Sequence, residues 1–464
     1  MAGSIPTELG TKSIKSLLRQ YAVPGIIAMT ASSLYNMVDS IFIGHIPGSG
    51  PLAISGLAVT FPLMNISTAL GTLVGVGAAT MISVLLGQKN YEVAGKVLSN
   101  EVTLNVIVGL IFTAITMIFM DPILLFFGAS ENTLPFARDY MMIIAAGNVI
   151  THLYFGLNSV IRSSGNPKLA MALTLFTVIS NAILDPIFIY WFGMGIRGAA
   201  IATVLCQTMA LGYTMWYFLD QKRFLHLDRK HFFQLDWRIA KDSLAIGMGP
   251  FLMNLASCIV VLFINNQLLK YGGDLAIGAY GIVNRISFLF AMVVVGFNHG
   301  MQPIAGYNYG ARLYSRVREV YLRTAMWATI MVTVGFIVSE FLPGPAVSLF
   351  TNDPQLKALA TKGLRTMNLV FPIVGFQMVT TNLFQCLGMV SKSIFLSLTR
   401  QLLFLVPCVY FLPAVIGSEI GVWYSFPISD FLSSLLTAIF AVGLLKKLGK
   451  LNDGDDPSIL GSKI

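Results

Sequence analysis

Charge is what this sequence lacks most. Asp, Glu, Lys and Arg make up 11% of 464 residues, against 55% hydrophobic residues. A soluble globular chain carries about 25% charged residues. Too few charges remain to cover a soluble surface of this size, which excludes a cytosolic enzyme and a disordered chain and leaves a polytopic α-helical membrane protein. Cysteine is scarce as well. Cys206, Cys258, Cys386 and Cys408 each lie in an apolar run and form no C-x-x-C pair, so they read as small core hydrophobes. No G-x-x-x-x-G-K-[ST] loop and no H-E-x-x-H or other metal-ligand spacing occurs, so neither ATP nor a resident metal is the evident driver, and no cofactor is implied. The first apolar run is too long for a cleavable leader. The net charge of +9 would suggest nucleic acid in a soluble protein; here it reads as loop charge that fixes orientation in a bilayer, with no nucleic-acid partner.

What is present is long apolar runs. A spanning helix needs about 20 mostly apolar residues. Twelve such segments are predicted, roughly 15–44, 53–86, 97–120, 134–161, 168–190, 197–219, 239–269, 274–309, 319–341, 356–386, 393–413 and 419–446. With the N-terminus inside, 22 Lys and Arg fall on the inner side and six on the outer, which predicts a multi-pass protein with both termini cytoplasmic.

The two halves repeat. At an offset of 223, Gly87 meets Gly310, Tyr91 meets Tyr314, Pro122 meets Pro345, Gly165 meets Gly388 and Gly198 meets Gly421; upstream, Pro24 meets Pro250. Six helices per repeat is an even number, so both halves insert the same way up, as a parallel repeat about an axis along the membrane normal. The expected fold class is therefore an all-α integral membrane protein of twelve transmembrane helices in two six-helix parallel repeats. The expected domains are an N-lobe at 1–220, a cytoplasmic linker at 221–238 and a C-lobe at 239–464 with a short cytoplasmic tail. Two fused lobes suffice to enclose a cavity, so a monomer is expected.

Ionisable groups inside spans are costly and point to function. Asp39 in span 1 and Asp185 in span 5 lie about 9 Å and about 8 Å from the outer ends of their helices, so they share a level. Tyr140 and Thr203 reach the same level. Asn36 precedes Asp39 by three residues and Asn181 precedes Asp185 by four, so each pair shares a helix face. Two close carboxylates in a low dielectric cannot both ionise easily, and with amide and hydroxyl neighbours they can bind a proton or a sodium ion. Asp39, Asn181, Asp185 and Thr203 supply the oxygens in the sodium case. In the second half Asp39 aligns with Asn265 and Asp185 with Cys408, so that half lacks the pair. It holds Arg285, Arg400 and Asp430 instead, read as a structural polar network or as a substrate or gating element. Pro24, fifteen residues before Asp39, removes a helix hydrogen bond and permits a bend, and is the candidate gate. His152 and His299 are read as structural.

The string Pro24…Tyr35-Asn36-Met37-Val38-Asp39, with Arg162-Ser163-Ser164-Gly165-Asn166-Pro167, Asn181…Asp185-Pro186 and Gly195-Ile196-Arg197-Gly198-Ala199-Ala200, resembles the multidrug and toxic compound extrusion (MATE) transporters over nearly the whole chain. The likeness is to the prokaryotic, DinF/MepA-like branch. It implies a V-shaped two-lobe fold in a bacterial or archaeal cytoplasmic (inner) membrane. It also implies a secondary antiporter, not an enzyme, that exports organic cations and drugs by alternating access, driven by inward proton or sodium flow. The branch's coupling acids map to Asp39 and Asp185, their polar partners to Tyr140, Asn181 and Thr203, and the bend-prone proline to Pro24. Span 7 offers Asn265, Asn266 and Gln267 where another branch has acids, which argues against second-lobe sodium coupling.

Other readings fit less well. A lipid-linked oligosaccharide flippase of the same superfamily would favour an Arg-rich cavity. A major-facilitator transporter would carry an acidic-arginine motif between spans 2 and 3, where Gly87-Gln88-Lys89-Asn90 stands. An integral membrane enzyme such as an acyltransferase would need a His/Asp or metal centre near one membrane face.

Overall fold

The computed structural model describes residues 6–227 and 235–457, less the side chains of residues 36, 37, 50, 51 and 274. Part of the expected linker, residues 228–234, and the tail end, 458–464, lie outside the described residues.

All regular structure among the described residues is helical. The first half comprises α1 (Ile14–Gly44), α2 (Gly50–Gly87), α3 (Tyr91–Ile118), the pair α4 (Leu134–Ala146) and α5 (Asn148–Ser163), α6 (Pro167–Pro186) and α7 (Ile196–Leu219). The second half comprises α8 (Trp237–Gly273), α9 (Leu275–Gly310), α10 (Tyr314–Phe341), the pair α11 (Pro354–Met367) and α12 (Phe371–Cys386), α13 (Val390–Leu398), α14 (Val406–Ile416) and α15 (Ile420–Leu448). Among the described residues ten helical segments are long and apolar enough to cross a membrane, and counting each bent pair as one span gives twelve. The expected bounds hold to within a few residues, with two differences. Spans 3 and 9 begin earlier, at Tyr91 and Tyr314, because polar turns extend each helix past its apolar run. Spans 4 and 10 are each bent by 56°.

Local geometry repeats with the sequence offset. The two non-glycine residues with positive φ among the described residues are Lys89 (60°) and Arg312 (57°), which are 223 apart and immediately precede the turns into α3 and α10. Both are in the left-handed region, where an L side chain is strained. The same unfavourable backbone at matched positions is hard to obtain unless both loops descend from one template. In the first loop Asn90 caps α3 by accepting the Val93 N–H (3.3 Å). Gly273 (φ 72°) breaks the chain between α8 and α9.

The chain forms two compact units, and their border runs through helices as well as between them. Among the described residues, unit 1 holds 30–251 and unit 2 holds 12–29 and the chain from 252 onward, with 6–11 joined to unit 1. The expected boundaries at 220 and 239 differ in this respect. The first half of α1 belongs with the second repeat, and the start of α8 with the first. Close approach shows why. In unit 2 a Cβ added at Gly296 or Gly300 would strike Ile26 or Ala22 of α1. In unit 1 a Cβ at Gly77 or Gly247 would strike the Ser243 or Leu73 carbonyl. Small residues let these backbones touch, which is how helices associate where lipid offers no hydrophobic drive. Each unit has its own core, built around Ile43, Leu63, Leu124 and Met141 in unit 1 and around Ile264, Val283, Leu364 and Trp423 in unit 2.

Candidate ion-coupling site

The second half of α1, the end of α6, and the helices α4 and α7 converge in unit 1. Asp39 and Asp185 are 6% and 0% exposed. Their carboxyl groups lie side by side, close enough for one proton to bridge them. Helical periodicity supplies the neighbours. Tyr35 is one turn before Asp39, and Asn181 is one turn before Asp185, so each acid has a polar residue stacked on its own face. Tyr140 of α4 is fully buried within electrostatic range of both carboxylates.

Thr203 of α7 ties the polar residues together. Its hydroxyl donates to the Ala199 carbonyl (3.1 Å), so its single hydrogen is committed. It must therefore accept from Tyr35 Oη (3.1 Å) and from the Asn181 amide (3.2 Å). That uses both of its lone pairs. The Asn181 amide nitrogen thus serves Thr203, although the Asp185 carboxylate stands beside it. Among the described residues four buried oxygens are left without a hydrogen-bond donor: Asp39 Oδ1, both Asp185 carboxylate oxygens and Asn181 Oδ1. Buried acceptors are nearly always satisfied. Four orphans in one cluster, two of them on one carboxylate, fit a site that takes up a small hard cation. The donor set is all oxygen, which suits a proton or sodium. Among the described residues no group of three or more His, Cys, Asp or Glu gathers.

The backbone at this site is irregular. Pro186 follows Asp185 directly and lacks an N–H, and the chain continues as a wide π-turn over Ile187–Trp191. Such turns concentrate at functional positions of helices.

The structure thus brings together Asp39, Asp185, Asn181, Thr203 and Tyr140. Asn36 is in α1, but its side chain is outside the described residues. Tyr35 was missed as a site residue in the sequence, although its i, i+4 spacing to Asp39 was there to be read. Pro24 lies in α1 within unit 2, five residues before the border of the two units. The expected network of Arg285, Arg400 and Asp430 divides. Arg400 Nε donates to Asp430 Oδ1 (2.7 Å) and Ser429 Oγ to the Arg400 carbonyl (2.9 Å), whereas Arg285 is exposed and takes no part in that pair. Arg400 too sits in a π-turn, Thr399–Leu405. His152 is buried, with a ring nitrogen 3.1 Å from Ser67 Oγ, and Ser67 also donates to Asn148 (2.6 Å).

Comparison with known proteins agrees with this architecture. The family model described as MatE matches residues 24–187 and again residues 245–411, once in each repeat. The chain belongs to the MATE family. Its relatives include the multidrug export protein MepA of Staphylococcus haemolyticus, 28% identical over 439 residues and covering 94% of this chain and 95% of that one. MepA of Staphylococcus aureus is 28% identical over 429 residues, covering 92% and 93%. In fold, the chain is similar to the outward-facing conformation of a multidrug resistance MATE family transporter of the MOP superfamily, with 24% identity, a TM-score of 0.89, and 97% of this chain and 100% of that one covered. MATE proteins are membrane transporters, not enzymes. This one is a multi-pass membrane protein of the same kind.

Proposed function

We propose that this MATE protein is a cation-coupled secondary antiporter that exports organic cations and drugs by alternating access, with the coupling ion bound between Asp39 and Asp185. The observation that carries the reading is the buried pair of carboxylates with four oxygens lacking donors. Vacant, the pair is a concentrated negative charge in a low dielectric and attracts a cation strongly. Filled by the coupling ion, it attracts an organic cation less. The two ligands compete for one charge, and that competition is a coupling free energy between them, which is what exchange requires.

The proton is the better candidate for the ion. It needs only two oxygens to bridge, whereas sodium would draw on Thr203, whose lone pairs are already engaged. Relatives named for multidrug export support the substrate class. In the second repeat Arg400 is bound to Asp430 and so is not held ready for a pyrophosphate, which weighs against a lipid-linked oligosaccharide substrate. The Lys and Arg bias supports cytoplasmic termini, and the relatives support a bacterial or archaeal inner membrane. One chain suffices as the working unit. Pro24, near the point where α1 passes from one unit to the other, is where the helix would bend.

The test is dye efflux from proteoliposomes under an imposed pH gradient or, separately, a sodium gradient, comparing wild type with Asp39→Asn and Asp185→Asn. Efflux driven by the pH gradient in wild type and lost in both variants is expected. Efflux driven by sodium alone would keep the site and change the ion. Normal coupling in both variants would overturn the proposal.

A further inference from the structure

A third acid is buried in unit 1. Glu101 of α3 is 1% exposed, and among the described residues its one hydrogen-bond partner is Asn105, whose amide donates to Oε1 (2.6 Å). Glu101 Oε2 and Asn105 Oδ1 are buried without partners. The carboxyl sits in a notch in α5. The space that a Cβ at Gly156 would take is filled by the Glu101 carboxyl and the Asn105 amide, and Gly156 passes backbone to backbone against Gly75 of α2. Three helices therefore close around the acid because two of them are glycine at the crossing.

Among the described residues no cation answers it; Lys96, on its own helix, is exposed and paired with Glu92 (2.8 Å). Helix α2 carries no charged residue. Helix α5 brings His152, one turn from Gly156 and held by Ser67, and Arg162, whose guanidinium is turned to Ser159 (3.4 Å). Helix α8, packed against Leu104, carries Arg238 and Lys241, both exposed, and a half-buried Asp242. Helix α4 carries Arg138 and Asp139, paired with Asp121 and Arg197. An ionised carboxylate with a single amide partner in such a place is strongly disfavoured against the protonated acid.

The acid also lies at the other end of the unit from the Asp pair. Glu101 is ten residues into α3, and the α4–α5 pair runs from Tyr140, beside the Asp pair, through Asn148 and His152 to Gly156, beside Glu101. Asn148, His152 and Gly156 recur every fourth residue, as do Glu101, Asn105 and Gly109, and Gly109 faces His152 Nδ1. A polar seam thus leads along α5 from one buried acid site towards the other.

We propose that Glu101 is a second proton-binding site of the transporter, which carries a proton while held in the Gly156 notch and releases it when α3 and α5 part. The proposal rests on proton coupling at Asp39 and Asp185. It adds one proton to the one shared there, so two protons enter for each monovalent cation exported. One-for-one exchange moves no net charge and ignores the membrane potential. Two-for-one exchange moves one charge and is driven by it.

The experiment uses the full chain in proteoliposomes loaded with a monovalent cationic dye, with protein-free vesicles as reference. At equal pH on both sides, an interior-negative potassium diffusion potential is imposed. For wild type the steady-state dye gradient is expected to move outward by about 50-fold per 100 mV, the effect of one net charge. Glu101→Gln should lose the response to potential and keep the response to a pH gradient, and Glu101→Asp should keep both. A Glu101→Gln protein with the wild-type response to potential, or a wild type with none, overturns the proposal. If Glu101→Gln does not fold, a pH-indicator dye counts protons released per cation bound by detergent-solubilised wild type: two supports the second site and one overturns it. Should Asp39→Asn and Asp185→Asn still couple to a pH gradient, the Asp-pair reading fails, while loss of the potential response in Glu101→Gln alone would still identify Glu101 as a proton carrier.

Discussion

Each repeat sets two charged side chains against one another in its spans beside a π-turn, and the two pairs are of opposite kinds. Unit 1 sets Asp39 against Asp185, like against like; unit 2 sets Arg400 against Asp430, with a hydrogen bond of 2.7 Å. The second pair is complete in itself. Its charges cancel, and its cost of burial is offset by its own attraction. The first pair is incomplete by construction and becomes comfortable only when something positive arrives. On the proposed reading, one architecture, duplicated, yields a brace in one copy and a receptor in the other. The difference is made by a handful of residues, because Asn265 and Cys408 stand in the second repeat where the first has its acids.

The same chemical change should therefore have opposite consequences in the two units. The largest effect is expected for Asp39→Asn and Asp185→Asn, which should reduce gradient-driven efflux at least about 100-fold, on the order of 2.7 kcal/mol of lost coupling. Thermal unfolding in detergent should show these variants as stable as wild type or more so, because a like-charge contact has been removed. Asp430→Asn should do the reverse. It leaves the half-buried Arg400 without its counter-charge and should lower stability by about 2 kcal/mol, while a double variant, Arg400→Met with Asp430→Leu, should recover most of that. Equal loss of stability on Asp39→Asn and Asp430→Asn would collapse the contrast.

A pH titration sharpens it further. As pH rises the Asp pair gives up its shared proton and gains negative charge, so an organic cation should bind more tightly at higher pH in wild type. In Asp39→Asn that dependence should flatten, and in Asp430→Asn it should persist; isothermal calorimetry with a quaternary ammonium dye measures all three. The smallest effect is expected for Tyr35→Phe. It removes one donor from Thr203 and leaves the acids in place, so ion affinity should change by less than about 10-fold, near 1 kcal/mol.

The sequence displayed the repeat and the acid level because both are periodic properties. A constant offset of 223 and about 1.5 Å per residue suffice to place Asp39, Asp185, Tyr140 and Thr203 together. It hid whatever depends on which helices touch. Glu101 sits amid the polar first turns of α3 and looks there like any loop-side acid; only the glycine at position 156, on another helix, makes it buried. Arg285 stood beside Arg400 and Asp430 on grounds of depth alone, and depth says nothing of which way a helix faces. The bends at Gly147 and after Asn368 were hidden by the unbroken apolar runs through them.

The shared helices α1 and α8 carry a historical consequence. In a duplicated protein, the first helix of each copy would be expected to pack with its own copy. Here the opening stretch of each is lent to the other unit. Had the ancestor been a six-helix chain working as a symmetric pair, this is the signature of a swapped dimer, in which each partner surrenders one arm to its neighbour. Fusion would then have made permanent an exchange that two separate chains had to negotiate each time they assembled. It would also have freed the two copies to specialise, one to hold its charges and the other to trade them.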